Sequence, residues 1–89
     1  LADAPPAAEL SARLDADPRN SAARYQLAAH QVLRGDYAEA LAQLLELMKR
    51  DRAFSDDAGR KGMLAIFDLL GGQGELVAGS RAKMMSALY

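Results

Sequence analysis

A glycine at position 35 divides two stretches of the chain in which apolar residues recur at helical spacing. After this glycine, apolar side chains follow at i, i+1, i+4, i+7 and i+8, the cleanest amphipathic pattern in the chain: Ala40, Leu41, Leu44, Leu47 and Met48. Gly35 can adopt the left-handed conformation that ends many helices, and Asp36 with Glu39 has the spacing of a capping box. The pattern therefore predicts two helices joined by a tight turn at Gly35.

The same periodicity and punctuation predict five helices and no strand, because no stretch alternates with period two. The helices are expected near residues 6–16, 20–34, 36–50, 55–70 and 75–88. Asn20 is expected to cap the second helix, and Ser55 or Asp56 to cap the fourth. We therefore predict an all-α fold, an array of antiparallel helix hairpins.

The last two helices carry the remaining apolar stripes. In the fourth helix, a single stripe is expected to be buried: Met63, Ile66, Phe67 and Leu70. The last helix has two adjacent apolar stripes. Both stripes end in one cluster of large side chains: Met84, Met85, Leu88 and Tyr89. Two alternatives stay open for this cluster: it packs against the fourth helix, or part of it is exposed as a docking surface.

The composition narrows the classes of function. The chain has 89 residues, enough for one small domain, and its 11 basic and 12 acidic side chains leave a formal net charge of −1. Such a balance provides no field that would attract nucleic acid or an acidic membrane surface. There is no cysteine, which excludes disulfides and thiolate metal sites, and no apolar run approaches the roughly 20 residues of a membrane span.

Few residues suggest catalysis. His30 is the only histidine and has no accompanying nucleophile or facing carboxylates, so we expect it to lie on a helix surface or between helices. The glycines between 71 and 74 lack the strand and the Lys-Ser/Thr ending of a phosphate loop and are interpreted as a helix–helix turn. Asp56 and Asp57 are expected to serve helix capping rather than metal binding. We predict no catalytic residue, no metal site, no cofactor and no enzymatic activity.

The residues around Gly35 resemble a tetratricopeptide repeat, a two-helix protein-binding module of 34 residues. The resemblance is carried by Leu27, Ala28, Gly35-Asp36-Tyr37 and Glu39-Ala40-Leu41. On this basis residues 6–89 form one helical domain after a linker remnant at 1–5, and the chain is expected to be part of a longer protein. Within the domain we expect a half-repeat at 6–18, a repeat at 20–52 and a degenerate helix pair at 55–89. Leu47 and Arg52 depart from the family, which prefers alanine and proline there.

A larger part of the chain, from about residue 18 onward, is similar to the carboxy-terminal region of chaperedoxins. These bacterial thioredoxin-like co-chaperones (the YbbN type) join a thioredoxin-like domain to tetratricopeptide repeats. The similarity rests on these segments: Ala23–Ala28, Ala40–Leu47, Asp51–Phe54, Arg60-Lys61 and Leu88-Tyr89.

This resemblance implies a cytoplasmic co-chaperone arm that binds unfolded client proteins and a chaperonin. Any redox activity would belong to the upstream thioredoxin-like domain. The resemblance and the interface chemistry of the last helix together nominate these protein-binding residues: Arg60, Lys61, Arg81, Met84, Met85, Leu88 and Tyr89. The alternative is a structural repeat segment that mediates self-association or spaces other domains.

Overall fold

The computed structural model describes residues 5–88 and contains five helices in this range. They are α1 (Ala7–Ala16), α2 (Ser21–Leu33), α3 (Tyr37–Arg50), α4 (Ala58–Leu69) and α5 (Glu75–Leu88). The predicted all-α fold is confirmed, with no strand among the described residues. None of these helices is long and apolar enough to cross a membrane. Apart from Pro5, the predicted linker remnant lies outside the described residues.

The predicted turn at Gly35 is confirmed in detail. Gly35 has a φ of 81°, and its amide donates to the Val32 carbonyl at 3.0 Å. The Asp36 amide donates to the Gln31 carbonyl at 2.8 Å, which completes a Schellman motif. The same pair of bonds recurs where α4 ends, with Gly71 in the left-handed conformation. Both α2 and α4 therefore end in a Schellman motif with a left-handed glycine.

The cap of α2 is confirmed by the Asn20 side chain, which accepts from the Ala23 amide, and Asp36 occupies the predicted N-cap position of α3. The predicted cap of α4 is wrong. Asp36 precedes α3, but its carboxylate pairs with Arg34 at 3.2 Å and makes no capping bond. The helix α4 begins at Ala58, later than predicted, and is preceded by three consecutive residues with positive φ: Ser55, Asp56 and Asp57. Left-handed backbone at these positions removes the extended geometry that an N-cap side chain needs.

The core is built around α3, which packs against α2, α4 and α5. Its buried face is the predicted one: Ala40, Leu41, Leu44, Leu47 and Met48. Met63, Ile66 and Phe67 of α4 belong to the same cluster, and Leu70 packs at its edge. A second, smaller cluster joins α1 to α2 through Leu10, Leu14, Ala23 and Leu27.

In α5, the stripe that contains Val77 and Met84 is buried, whereas Met85 on the other stripe is exposed. This helix lies against α3, and it meets α4 through the Arg81 guanidinium, 5.3 Å from the centroid of the Phe67 ring. Arg52, between α3 and α4, donates to the Ala87 carbonyl at 2.6 Å and so ties the end of α5 to the loop. The division into a half-repeat, a repeat and a degenerate helix pair stays a prediction.

Candidate protein-binding site

An open apolar groove runs between α2 and α4, with Leu44 of α3 at its base. Its volume is approximately 370 Å³. The two walls come from residues at helical spacing, so each helix presents one face to the groove. The α2 wall consists of Tyr25, Ala28, Ala29, Val32 and Leu33, and the α4 wall of Gly62, Ala65, Ile66 and Leu69.

Two leucines of this groove are unusually exposed. The exposed fraction is 71% for Leu33 and 59% for Leu69, although both residues belong to otherwise well-packed helices. Each lies two residues before the glycine that ends its helix, so the two side chains occupy equivalent positions in α2 and α4. Burying such a side chain against a partner contributes about 1.5–3 kcal/mol of apolar transfer free energy. This pair therefore offers two equivalent anchors for an apolar ligand.

Tyr25, at the other end of the α2 wall, adds an aromatic surface. Its ring lies 6.2 Å from that of Phe54, centroid to centroid, with the ring planes inclined by 53°. This geometry falls in the range that aromatic pairs prefer, so Phe54 helps to hold the Tyr25 ring in place while part of it stays exposed. A preorganised aromatic side chain reduces the entropy that is lost when a ligand binds.

The groove is lined almost entirely by apolar side chains. Its lining residues include no carboxylate, no cationic side chain and no histidine, and the Tyr25 hydroxyl is the one side-chain polar group among them. Residues 5–88 also contain no group of three potential metal ligands. A ligand in this groove would be held by apolar contacts. The ligand's own main-chain polar groups would hydrogen-bond to water.

The two predicted basic residues of α4, Arg60 and Lys61, are engaged locally. Arg60 pairs with Asp57 at 2.5 Å, and Lys61 pairs with Asp56 at 2.8 Å. The hydrogen bond from Lys61, with its positive charge, lowers the pKa of the Asp56 carboxyl below its ordinary value of 3.8. Neither basic residue lines the groove.

The structure divides the predicted cluster of α5. Met84 is 5% exposed and lies in the core, so it packs inside the domain and offers almost no surface to a partner. Met85 is 43% exposed, and Leu88 is half-buried against the core. Arg81 stacks on Phe67, and Tyr89 lies outside the described residues. Partner binding by these residues stays a prediction, and Met85 is the member whose exposure favours it.

His30 lies on α2 with its Nε2 2.8 Å from the Pro5 carbonyl oxygen. Because a carbonyl oxygen only accepts, Nε2 is the protonated nitrogen in this contact. His30 thus holds the segment that precedes α1 against α2.

Sequence reasoning did not identify the groove. The available signal was the recurrence of a leucine two residues before each helix-ending glycine, at positions 33 and 69. Neither leucine belongs to the core, so their recurrence at the same place in two helices was a signal for a shared surface.

Successive helices that stack around a central helix and leave an apolar groove define an all-helical interaction scaffold. The chain belongs to the tetratricopeptide repeat family, whose family model matches residues 1–89. Repeats of this family generally mediate protein–protein interaction and are typically non-catalytic. The chain has no significant match among curated proteins or among solved structures.

Proposed function

We propose that this domain binds apolar segments of other proteins in the groove between α2 and α4 and performs no chemistry. The observation that carries the proposal is the pair Leu33 and Leu69, two exposed leucines at equivalent positions on the two walls. A groove of this kind accepts an amphipathic helix or an extended apolar segment through a few anchoring side chains. The absence of charged residues from its lining makes sequence-tolerant binding the expected mode.

The resemblance to chaperedoxins supports a more specific form of this proposal. In it, the domain is the cytoplasmic, carboxy-terminal arm of a thioredoxin-like co-chaperone, and the groove holds unfolded clients. The exposed part of α5, centred on Met85, contacts a chaperonin. Unfolded clients expose apolar side chains in many sequence contexts, which suits an apolar groove without charge selectivity.

The test is suppression of the aggregation of heat-unfolded citrate synthase, followed by light scattering. L33S/L69S is expected to lose most of the suppression and to bind client about tenfold or more weakly, because two apolar anchors are removed. L64S/L76S is the matched control, since both leucines are exposed and neither lines the groove. Equal loss in both variants, or full activity of L33S/L69S, would reject the groove as the client site.

The chaperonin contact is tested separately with M85S, because Leu88 packs against the core and its substitution would disturb folding. M85S is expected to weaken chaperonin binding in a pull-down with purified chaperonin, and L76S is expected to leave it unchanged. Unchanged binding of M85S would reject this part of the proposal without affecting the groove.

The second candidate function is self-association or domain spacing. It is favoured by the exposed Leu76 and Met85 of α5, which give this helix apolar surface outside the core. Sedimentation velocity across a wide concentration range distinguishes the two functions. A self-associating segment dimerises without client and loses this behaviour in L76S/M85S, whereas a client-binding arm stays monomeric.

A further inference from the structure

Three consecutive residues before α4 have a positive φ: Ser55, Asp56 and Asp57, at 48°, 60° and 67°. The Ala58 amide donates to the Phe54 carbonyl at 3.0 Å, which closes the segment 55–57 into one left-handed turn. Residues other than glycine adopt this conformation singly rather than in runs, because the Cβ atom crowds the following carbonyl oxygen. The handedness of the backbone then reverses at Ala58, where the right-handed helix α4 begins.

The sequence of the left-handed turn favours the opposite handedness. Serine is among the best N-cap residues, and aspartates in the first turn of a right-handed helix are stabilised by the helix dipole. A right-handed conformation of residues 55–57 would therefore extend α4 by about one turn, with Ser55 as its N-cap. The observed turn also leaves the Asp57 Oδ1 atom buried, with no hydrogen bond from the described residues. A second conformation can avoid this cost.

Interactions outside the segment offset the costs of the left-handed turn. The Asp56 carboxylate pairs with Lys61 at 2.8 Å, and the Asp57 carboxylate pairs with Arg60 at 2.5 Å. Phe54, directly before the turn, packs against the main core cluster. Exposed ion pairs contribute little, so the packing of Phe54 is the main interaction that fixes the handedness. Local preference and tertiary packing therefore oppose each other here, which is the condition for two conformations of similar free energy.

Phe54 connects the left-handed turn to the groove. Its ring lies 6.2 Å from the Tyr25 ring, centroid to centroid, and Tyr25 lines the groove. Because the Phe54 carbonyl closes the turn, reversing the handedness changes the direction in which the chain enters α4 and moves the Phe54 ring relative to Tyr25. The Tyr25 ring then loses the partner that holds it in place.

We propose that the left-handed turn is a two-state switch that regulates the groove. In the left-handed state, which is the one observed, Phe54 holds Tyr25 and the groove is preorganised for an apolar ligand. In the right-handed state, α4 is longer, Tyr25 is released and the affinity for the ligand is lower. A ligand that contacts Tyr25 shifts the population toward the left-handed state by the ratio of its two affinities. The regulation rests on the proposed function of the groove, whereas the existence of the two states does not.

Two substitutions at one position test the switch. D56P and D56G both remove the Asp56 carboxylate and its pair with Lys61, but they favour opposite handedness. Proline fixes φ at about −65° and suits the position after a serine cap, whereas glycine readily adopts a positive φ. In D56P, the one-bond Cα–Hα coupling constant of Asp57 is expected to become that of a negative φ. The Tyr25 ring proton shifts are expected to move toward those of F54L, in which the aromatic partner is absent. D56G is expected to match the original chain in both measurements.

Binding is measured by fluorescence anisotropy with labelled, reduced and carboxymethylated α-lactalbumin, a permanently unfolded protein. D56P is expected to bind about fivefold more weakly than D56G, the factor that corresponds to the loss of one aromatic pair. A folded D56P that keeps a positive φ at Asp57, or that binds as tightly as D56G, would overturn the proposal.

Relaxation dispersion on the original chain keeps the proposal testable if D56P does not fold. Exchange with a second state, populated at about 1%, is expected at residues 54–57 and in the Tyr25 ring. Absence of this exchange in the original chain, together with an unfolded D56P, would overturn the switch. If neither the original chain nor D56G binds the unfolded protein, the proposed function of the groove has failed. The Tyr25 shifts and the exchange measurement then still decide whether the turn acts on Tyr25.

Discussion

Gly59 of α4 lies against the backbone of Leu44 of α3. A Cβ atom built on Gly59 would lie 3.0 Å from the Leu44 carbonyl oxygen and 3.1 Å from the Met48 amide nitrogen. Gly62, one turn later, faces the Leu44 side chain at a similar distance. The closeness of α3 and α4, and hence the position of the α4 wall of the groove, depends on these two glycines.

The variant G59A is expected to destabilise the domain, although alanine is the better helix former by about 1 kcal/mol. The new methyl group meets backbone atoms of Leu44 and Met48 in α3, so α4 must move away from α3 and the core loosens. An overpacked position of this kind typically costs about 1–3 kcal/mol. Urea denaturation followed by circular dichroism measures the change.

Gly79 provides the control for this substitution. It lies within α5 with nothing within 4 Å of a built Cβ, so G79A is expected to stabilise the domain by about 0.5–1 kcal/mol. Opposite signs for G59A and G79A are the expected result. Stabilisation by both variants would mean that α3 and α4 are not in close backbone contact.

The pairing of Asp56 with Lys61 predicts a measurable titration. The folded-state pKa of Asp56 is lowered, so its contribution to stability is present above the unfolded value of 3.8 and is lost as the pH falls through the folded pKa. Because this carboxylate is fully exposed, the contribution to stability is small. A ¹³C-detected titration of the carboxyl carbon is the direct measurement. K61M is expected to return the pKa of Asp56 toward 3.8, and K83M, which removes a lysine that does not act on Asp56, is expected to leave it unchanged.

The helix bounds other than the start of α4, and the main core stripe, were predictable because local signals specify them. The left-handed glycines, the Asn20 cap and the spacing of the α3 leucines each act within one or two turns of helix. Met84 and Met85 show the limit of such signals. They are adjacent, both stripes of α5 are apolar, and the rotation that buries Met84 is set by packing against α3 and α4.

The segment before α4 was not predictable for a related reason. Ser55 and Asp56 are good capping residues in isolation, and the sequence therefore indicated a cap. The structure instead places Ser55, Asp56 and Asp57 at φ values of 48°, 60° and 67°, where their side chains do not cap the helix. The groove was missed because its exposed leucines follow from the relative position of two helices, which single-helix periodicity does not contain.

This left-handed segment predicts an unusual stabilising substitution. A non-glycine residue at positive φ costs about 1 kcal/mol relative to glycine, so S55G is expected to stabilise the domain by up to about that amount. S55A keeps the backbone cost and removes the hydroxyl, and it is expected to give no gain. If S55G were neutral or destabilising in urea denaturation, the positive φ at position 55 would be contradicted.

Gly35→Ala tests the positive φ in the turn between α2 and α3. It is expected to destabilise the domain, whereas S55G is expected to stabilise it. Gly35 has a φ of 81° and no atom within 4 Å of a built Cβ, so the cost is confined to the backbone. Alanine in this conformation is expected to lower the free energy of unfolding by about 1–2 kcal/mol. Gly35→Asn, whose side chain tolerates the left-handed region, is expected to cost less. If alanine and asparagine lowered the free energy of unfolding equally, the left-handed backbone conformation could not be the whole cause of the loss.

Arg52 predicts a local rather than a global effect. Its guanidinium donates to the Ala87 carbonyl at the carboxyl end of α5, where a positive charge also complements the helix dipole. R52A is expected to cost about 0.3–1 kcal/mol and to accelerate amide hydrogen exchange in the last turn of α5, while α2 and α3 keep their protection. R13A is the control, because Arg13 pairs with Glu9 within α1 and does not contact α5. Uniform acceleration across all helices in R52A would show that Arg52 supports the whole fold, and unchanged exchange in α5 would show that the bond to Ala87 contributes nothing. An increase confined to the end of α5 is the expected result, because the Arg52 guanidinium bonds to the Ala87 carbonyl in the last turn of that helix.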